Sequence, residues 1–191
     1  AVPTFDVVAT DNIINAAEAA AGVTITGTTE TGTTMTVNGE TATVNGATWS
    51  ATLSTAAIEA FGEGSETLTV VATNGVGNTA TATHDLTVDT VAPAFTSATT
   101  STFDENATGT AHTAAATDTM AITYGLGGTD GAQFTIDPSS GALSFVTTPD
   151  FETPADTGGN NVYDVSITAT DVAGNANTQA VGISVTDINE A

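Results

Sequence analysis

Threonine and aliphatic residues alternate through much of this chain, and a two-residue period is that of a strand with one buried face. Val23 and Ile25 alternate with Thr24 and Thr26, Met35 and Val37 with Thr34 and Thr36, and Leu68, Val70 and Ala72 with Thr67, Thr69 and Thr73. The longest run sets Ala80, Ala82, His84, Leu86 and Val88 in one phase against Thr79, Thr81, Thr83, Asp85 and Thr87 in the other. Asn38-Gly39 and Asn45-Gly46 separate short alternating runs, and Asn-Gly is the strongest local signal for a tight hairpin, because its turn needs positive φ. No segment has the apolar period of a long amphipathic helix; residues 12–21 and 55–61 are alanine-rich enough for a turn or two. These patterns predict an all-β chain.

The chain also repeats itself. Ala1-Val2-Pro3-Thr4-Phe5 returns as Val91-Ala92-Pro93-Ala94-Phe95, and the last residues, Asp187-Ile188-Asn189-Glu190-Ala191, stand where another such linker would start. Two tandem domains are expected, residues 1–91 and 92–191, and 191 residues suit one or two domains. Each half divides into seven strands: near 5–9, 21–28, 32–37, 40–44, 47–53, 67–73 and 78–89, then near 97–103, 108–117, 121–126, 132–136, 142–147, 161–170 and 176–186. Seven short strands with regular turn signals predict an immunoglobulin-like β-sandwich in each half. Ala1-Val2-Pro3 lacks the features of a signal peptide, so the chain reads as a segment of something longer.

Charge then limits what such sandwiches can do. There are 22 acidic side chains, no lysine or arginine, and a formal charge of -22. Nucleic acids and anionic membrane surfaces are recognised through cations that this chain does not have. No run approaches the roughly 20 apolar residues of a membrane-spanning helix, so direct membrane insertion is not expected. With no cysteine there is no disulfide framework, thiol nucleophile or thiolate metal site. Since 40% of residues are hydrophobic and patterned, the chain should fold despite its charge. Its carboxylates must then be hydrated, hydrogen-bonded or bound to cations.

An odd number of antiparallel strands sorts these acids, because a chain that enters a sandwich at one pole leaves at the other. In the second domain the exit pole collects Asp104, Glu105 and Asn106, then Asp150, Glu152 and Asp156, then Asp187, Asn189 and Glu190. The opposite pole, facing the first domain, collects Asp118 with Asp171, Asn175 and Asn177. The first domain's own exit pole should carry Asp11, Asn12, Asn15 and Glu18, then Glu59, Glu63 and Glu66, and finally Asp89. Asp171 continues the buried phase of Tyr163, Val165, Ile167 and Ala169, and Asp187 that of Val181, Ile183 and Val185, so both should point toward a pole. Crowded carboxylates repel one another, and a divalent cation reverses the sign of that interaction. Oxygen-only clusters on loops suit calcium, whereas zinc favours nitrogen or sulfur and magnesium a tight octahedron. The plainer alternative is that these are solvated loop acids that keep the protein soluble.

Residues 99–191 resemble a cadherin-type repeat. The matching elements, in order, are Asp104-Glu105-Asn106, Ile122-Thr123-Tyr124, Phe134-Thr135-Ile136-Asp137 with Ser140-Gly141-Ala142-Leu143, Pro149-Asp150-Phe151-Glu152, Ala169-Thr170-Asp171, and Asp187-Ile188-Asn189-Glu190. The resemblance implies that Glu105, Asp150, Glu152, Asp187 and Glu190 hold calcium at the exit, with Asn189 beside them, and that Asp118 and Asp171 contribute at the junction with the first domain. Ala116-Thr117-Asp118 departs from the family, which often has two acids there. Residues 1–92 look like a bacterial immunoglobulin-like repeat, through Asp11-Asn12-Ile13-Ile14-Asn15-Ala16-Ala17-Glu18, Gly22-Val23-Thr24-Ile25-Thr26-Gly27-Thr28, Val70-Val71-Ala72-Thr73-Asn74-Gly75-Val76-Gly77-Asn78 and Val88-Asp89-Thr90-Val91-Ala92-Pro93. Such repeats commonly have aspartate where Asn74 stands. Both repeat types together, without basic residues, resemble the extender region of giant RTX-type adhesins secreted by Gram-negative bacteria.

The implied function is structural: a monomeric, calcium-rigidified spacer on the bacterial cell surface, whose partners are neighbouring repeats of the same chain and which projects a distal adhesive domain for attachment or biofilm formation. The alternative is a calcium-dependent ligand-binding module, for carbohydrate or homophilic contact. Sugar platforms need exposed aromatics, but Tyr124, Phe134, Phe145 and Tyr163 fall in buried strand phases, and Trp49 is expected in the core. No enzyme is expected: Asp150 and Glu152 sit among further acids with no cation or aromatic cleft to support a glycosidase transition state. His84 and His112 lie in separate domains with no spaced serine or cysteine partner.

Overall fold

Where threonine alternates with an aliphatic residue, the chain is a strand with its aliphatic phase inward. The computed structural model describes residues 1–189 and divides into two compact units, Ala1–Val91 and Ala92–Ala191. The first unit contains β1 (Ile13–Ile14), α1 (Ala16–Ala21), β2 (Val23–Thr28), β3 (Thr34–Val37), β4 (Glu40–Asn45), β5 (Thr48–Leu53), α2 (Thr55–Phe61), β6 (Gly64–Thr73) and β7 (Thr79–Val88). Its strands follow the order β1-β7-β6-β3-β4-β5-β2. β4 makes the corner, pairing with β3 through Glu40–Ala42 and with β5 through Thr43–Asn45. The two halves of the sheet thus fold over one core, built from Val23, Ile25, Met35, Val37, Trp49, Leu68, Val70, Leu86 and Val88, with Ile58 of α2 against it. At the Asn38-Gly39 hairpin both residues have positive φ, 47° and 91°, the requirement of a type I′ turn.

The strand expected at 5–9 is not one. Thr4 and Asp6 donate backbone N–H groups to Thr28 and Thr26 at 2.9 Å, so the segment runs along the edge of β2. The Thr4 carbonyl, however, accepts from Trp49 Nε1 at 3.0 Å, and the Thr28 N–H turns instead to Thr4 Oγ1 at 3.1 Å. The indole therefore takes the acceptor that would have completed the ladder. Ala9, Thr10 and Asn12, with φ of 49°, 69° and 66°, then swing the chain to β1, which pairs in parallel with β7. His84 is half-buried there, its Nε2 2.7 Å from Asn12 Oδ1 and its ring stacked on Phe5.

The second unit contains β8 (Ala94–Phe95), β9 (Thr100–Asp104), β10 (Thr110–Thr113), β11 (Ala116–Thr117), β12 (Ile122–Gly127), a 3-10 turn at Gly131–Gln133, β13 (Phe134–Ile136), β14 (Ala142–Phe145), β15 (Val162–Asp171) and β16 (Ala176–Thr186). One sheet has the order β12-β15-β16-β9, a second β10-β14-β13, and β11 pairs with β8. The strand expected at 108–117 is thus divided into β10 and β11, and β8 is an additional short strand, giving nine strands where seven were expected. Leu143, Tyr163, Ile167, Val181 and Ile183 fill the core. Phe134, Phe145 and Tyr163 pack ring against ring, with centroids 4.2 to 5.8 Å apart, and the Tyr163 hydroxyl accepts from the Ala155 N–H at 3.1 Å. The loop that carries the candidate acids is thereby fastened to the aromatic core.

Gly27 has a positional role. A Cβ there would meet the Thr4 carbonyl oxygen at 1.9 Å and Trp49 Nε1 at 2.7 Å, whereas a Cβ at Gly127 in β12 meets nothing closer than 3.9 Å. Gly27→Ala should therefore destabilise the first unit by about 1–3 kcal/mol in urea unfolding, the usual cost of overpacking. Gly127→Ala should stay within about 0.5 kcal/mol of the parent.

Candidate metal centre

Parallel pairing of β9 with β16 places Asp104 opposite Thr186, so the next residues, Glu105 and Asp187, leave the sheet side by side. The Glu105 N–H continues the ladder to the Thr186 carbonyl at 3.1 Å, and the Asn106 N–H reaches Pro149 at 3.0 Å. The Glu105 side chain is buried and only 3% exposed. Its two carboxylate oxygens accept from the Phe151 N–H at 2.9 Å and the Ile188 N–H at 2.8 Å. One carboxylate thus ties the end of β9 to the 149–152 loop and to the segment beyond β16. Carboxylate oxygens of Glu105, Glu152 and Asp187 all lie within 4.8 Å of one another, and Asp150, Glu152, Asp187 and Asn189 line a recess.

The electrostatics of these acids differ. Hydrogen bonds from the Phe151 and then the Ile188 N–H hold the Glu105 carboxyl below its ordinary value of 4.5, outweighing its desolvation. At Glu152 a hydrogen bond from its own backbone N–H lowers the carboxyl, but burial and repulsion from Glu105, Asp187 and Asp150 raise it above its ordinary value. A cation bound there would relieve this repulsion. The donors are all oxygens, and carboxylate oxygens that accept one N–H keep a further lone pair. This donor set fits calcium better than zinc.

The sequence-predicted residues fall into distinct situations. Glu105, Glu152 and Asp187 come together, with Asp150 and Asn189 at the same recess; Glu190 lies outside the described residues. At the other end of this unit, carboxylate oxygens of Asp118 and Asp171 approach within 4.8 Å. Asp171 is buried and accepts from the Asn175 N–H and Nδ2, both at 2.9 Å, while Asp118 accepts from the Met120 N–H at 2.9 Å. In the first unit Asp89 is buried just after β7, its N–H bonded to the Ile14 carbonyl at 3.0 Å. Asp11 accepts from the Ile13 N–H at 2.9 Å. Glu18 and Asn15 form a reciprocal capping box at the start of α1, a role written in the spacing Asn15-x-x-Glu18.

Two further acids position the site without joining it. Asp156, grouped above with the exit-pole acids, is buried and accepts from the Asn160 and Asn161 N–H groups, both at 3.1 Å. Asn161 in turn donates from Nδ2 to the Phe151 carbonyl at 2.9 Å. Asp130, which no sequence motif singled out, is buried and accepts from Thr157 N–H and Oγ1 and from the Asp164 N–H at 2.7 to 2.8 Å. Only the neighbouring glycines, Gly128 and Gly131, signalled a turn there.

No family model matches the chain, and no curated protein matches it. Solved structures do. A 1.5-MDa bacterial ice-binding adhesin, described for its retention at the host cell surface, is similar with a TM-score of 0.55 and 21% identity, over 97% of this chain and 65% of that one. A Ca2+-stabilized adhesin that helps an Antarctic bacterium reach out and bind ice is similar with a TM-score of 0.52 and 23% identity, over 98% of this chain and 50% of that one. Drosophila N-cadherin EC1-3 matches 65% of this chain and 44% of its own length, with 23% identity and a TM-score of 0.45. The chain shares its fold with the two bacterial adhesin segments and spans 65% and 50% of their lengths.

The opposite shifts of Glu105 and Glu152 predict opposite phenotypes in metal-free protein. Stability contributed by Glu105 is present above pH 4.5 and is lost as the pH falls through its depressed value; that associated with Glu152 is present below pH 4.5 and is lost as the pH rises through its raised value. At pH 7 in EDTA, Glu105→Ala should therefore lower the melting temperature and Glu152→Gln should raise it, as followed by circular dichroism.

Proposed function

We propose that this chain is a calcium-stiffened spacer: two tandem β-sandwiches, immunoglobulin-like then cadherin-like, from the extender region of a giant RTX-type bacterial adhesin. It works outside the cell as a monomer between neighbouring repeats of the same chain, holding a distal adhesive domain away from the surface for attachment or biofilm formation. The observation that carries this reading is the convergence of Glu105, Glu152 and Asp187 at the end of the second unit, where the chain leaves. Metal there would hold the 149–152 loop and the departing segment against β9, turning a free linker into a braced one. Asp118 and Asp171 are proposed as a second calcium position at the start of the same unit, and Asp11, Glu18 and Asp89 as candidates in the first.

The fold shared with the two adhesin segments supports this reading, as does the placing of the aromatics. Trp49 and Tyr163 are fully buried and Phe134 is buried, which favours a spacer over a carbohydrate platform. Among the described residues no helix is long and apolar enough to cross a membrane.

Added calcium should raise the melting temperature and lengthen the particle in small-angle scattering, and EDTA should reverse both. At a hundredfold excess over Kd each site contributes about 2.7 kcal/mol. Changing Asp150 and Glu152 together to alanine should weaken one class of site in a calcium titration. A scattering profile and melting curve indifferent to calcium would overturn the proposal; tight binding on a glycan array would favour a ligand-binding module instead.

A further inference from the structure

Away from the acids, the second unit buries a histidine that nothing above uses. β10 pairs with β14 through Thr110↔Ser144, His112↔Leu143 and Thr113↔Ala142, and the register shifts between Thr110 and His112. Ala111 is thus the additional residue of a β-bulge. In a regular strand Ala111 and His112 would face opposite sides; here both are buried, at 6% and 8% exposure. The bulge turns an imidazole into the sandwich, and its Nε2 is buried with no hydrogen-bond partner.

Among the described residues, the elements that pack on β10 give Nε2 no partner. β14, Ala142–Phe145, has no titratable side chain. β9, which also packs on β10, carries Asp104, whose carboxylate accepts from Thr186 Oγ1 at 2.6 Å. In the turn before β14, Asp137 accepts from the Ser139 and Ser140 N–H groups at 2.9 and 2.8 Å. Both carboxylates are engaged elsewhere, and burial by itself holds the His112 ring below the ordinary imidazole range.

We propose that His112 is an acid-sensitive latch on the small sheet β10-β14-β13. While neutral it packs between the sheets. In mild acid it takes a proton from solvent, so that both ring nitrogens carry hydrogen, and the cation has no acceptor for its Nε2–H. The charged ring is stable only in water, so protonation draws β10 away from β14. Because the folded ring binds its proton more weakly than the unfolded one, the stability it contributes is present above about pH 6.5 and is lost as the pH falls toward the folded value. This inference does not depend on the spacer reading.

The test is amide hydrogen exchange and histidine NMR on the whole 191-residue chain, between about pH 7 and 5. One proton of linkage should raise the opening constant of β10, β13 and β14 up to about tenfold per pH unit, after correction for chemical exchange. His112→Leu should remove that dependence while leaving the first unit unchanged. The same pH dependence in His112→Leu would overturn the proposal. If that variant does not fold, the parent decides: a His112 resonance titrating at the value of a solvent imidazole, or small-sheet exchange that ignores pH, would equally overturn it.

Discussion

The distal end of the second unit depends on one buried carboxylate. Glu105 emerges from β9 beside the end of β16 and spends both oxygens on backbone N–H groups, one in the 149–152 loop and one in the departing segment. Two charge-assisted hydrogen bonds offset its desolvation and keep it ionised. Against the lowering by its own backbone N–H, burial and then repulsion from Glu105, Asp187 and Asp150 raise Glu152. The structural clasp thus also sets the charge of the acidic cluster, and an ion bound there would relieve the repulsion that the clasp creates.

A chain without lysine or arginine must quiet its other carboxylates differently, and threonine does much of this. Thr26 Oγ1 donates to Asp6 at 2.6 Å, Thr67 to Asp85 at 2.7 Å, Thr157 to Asp130 at 2.7 Å and Thr186 to Asp104 at 2.6 Å. Each bond satisfies a carboxylate without placing a side-chain cation nearby to compete with metal. Among the described residues no ion pair joins two side chains. The threonine phase of the strands therefore does more than mark the solvent face.

Much of the fold could be read directly. The period-two alternation marked β2, β3, β6 and β7 with the buried phase correctly assigned, and the alanine-rich stretches became the two short helices. The misassigned first strand shows the limit, because its ladder was lost to a hydrogen bond from Trp49, a residue 45 positions away. Glu18 shows what local spacing can carry: Asn15-x-x-Glu18 is the signature of a capping box, and the reciprocal bonds form.

Sequence alone determined the strand phases and the repeated linker, because side-chain period and the recurrence of a short motif are local or countable properties. Only the tertiary structure decided which acids meet. The parallel register of β9 and β16 brings Glu105 beside Asp187, and the aromatic core carries the 150s loop to them. Asp156 sits in that same loop yet turns inward onto Asn160 and Asn161. A carboxylate takes the nearest unsatisfied N–H, and where that donor lies depends on packing that no residue spacing records.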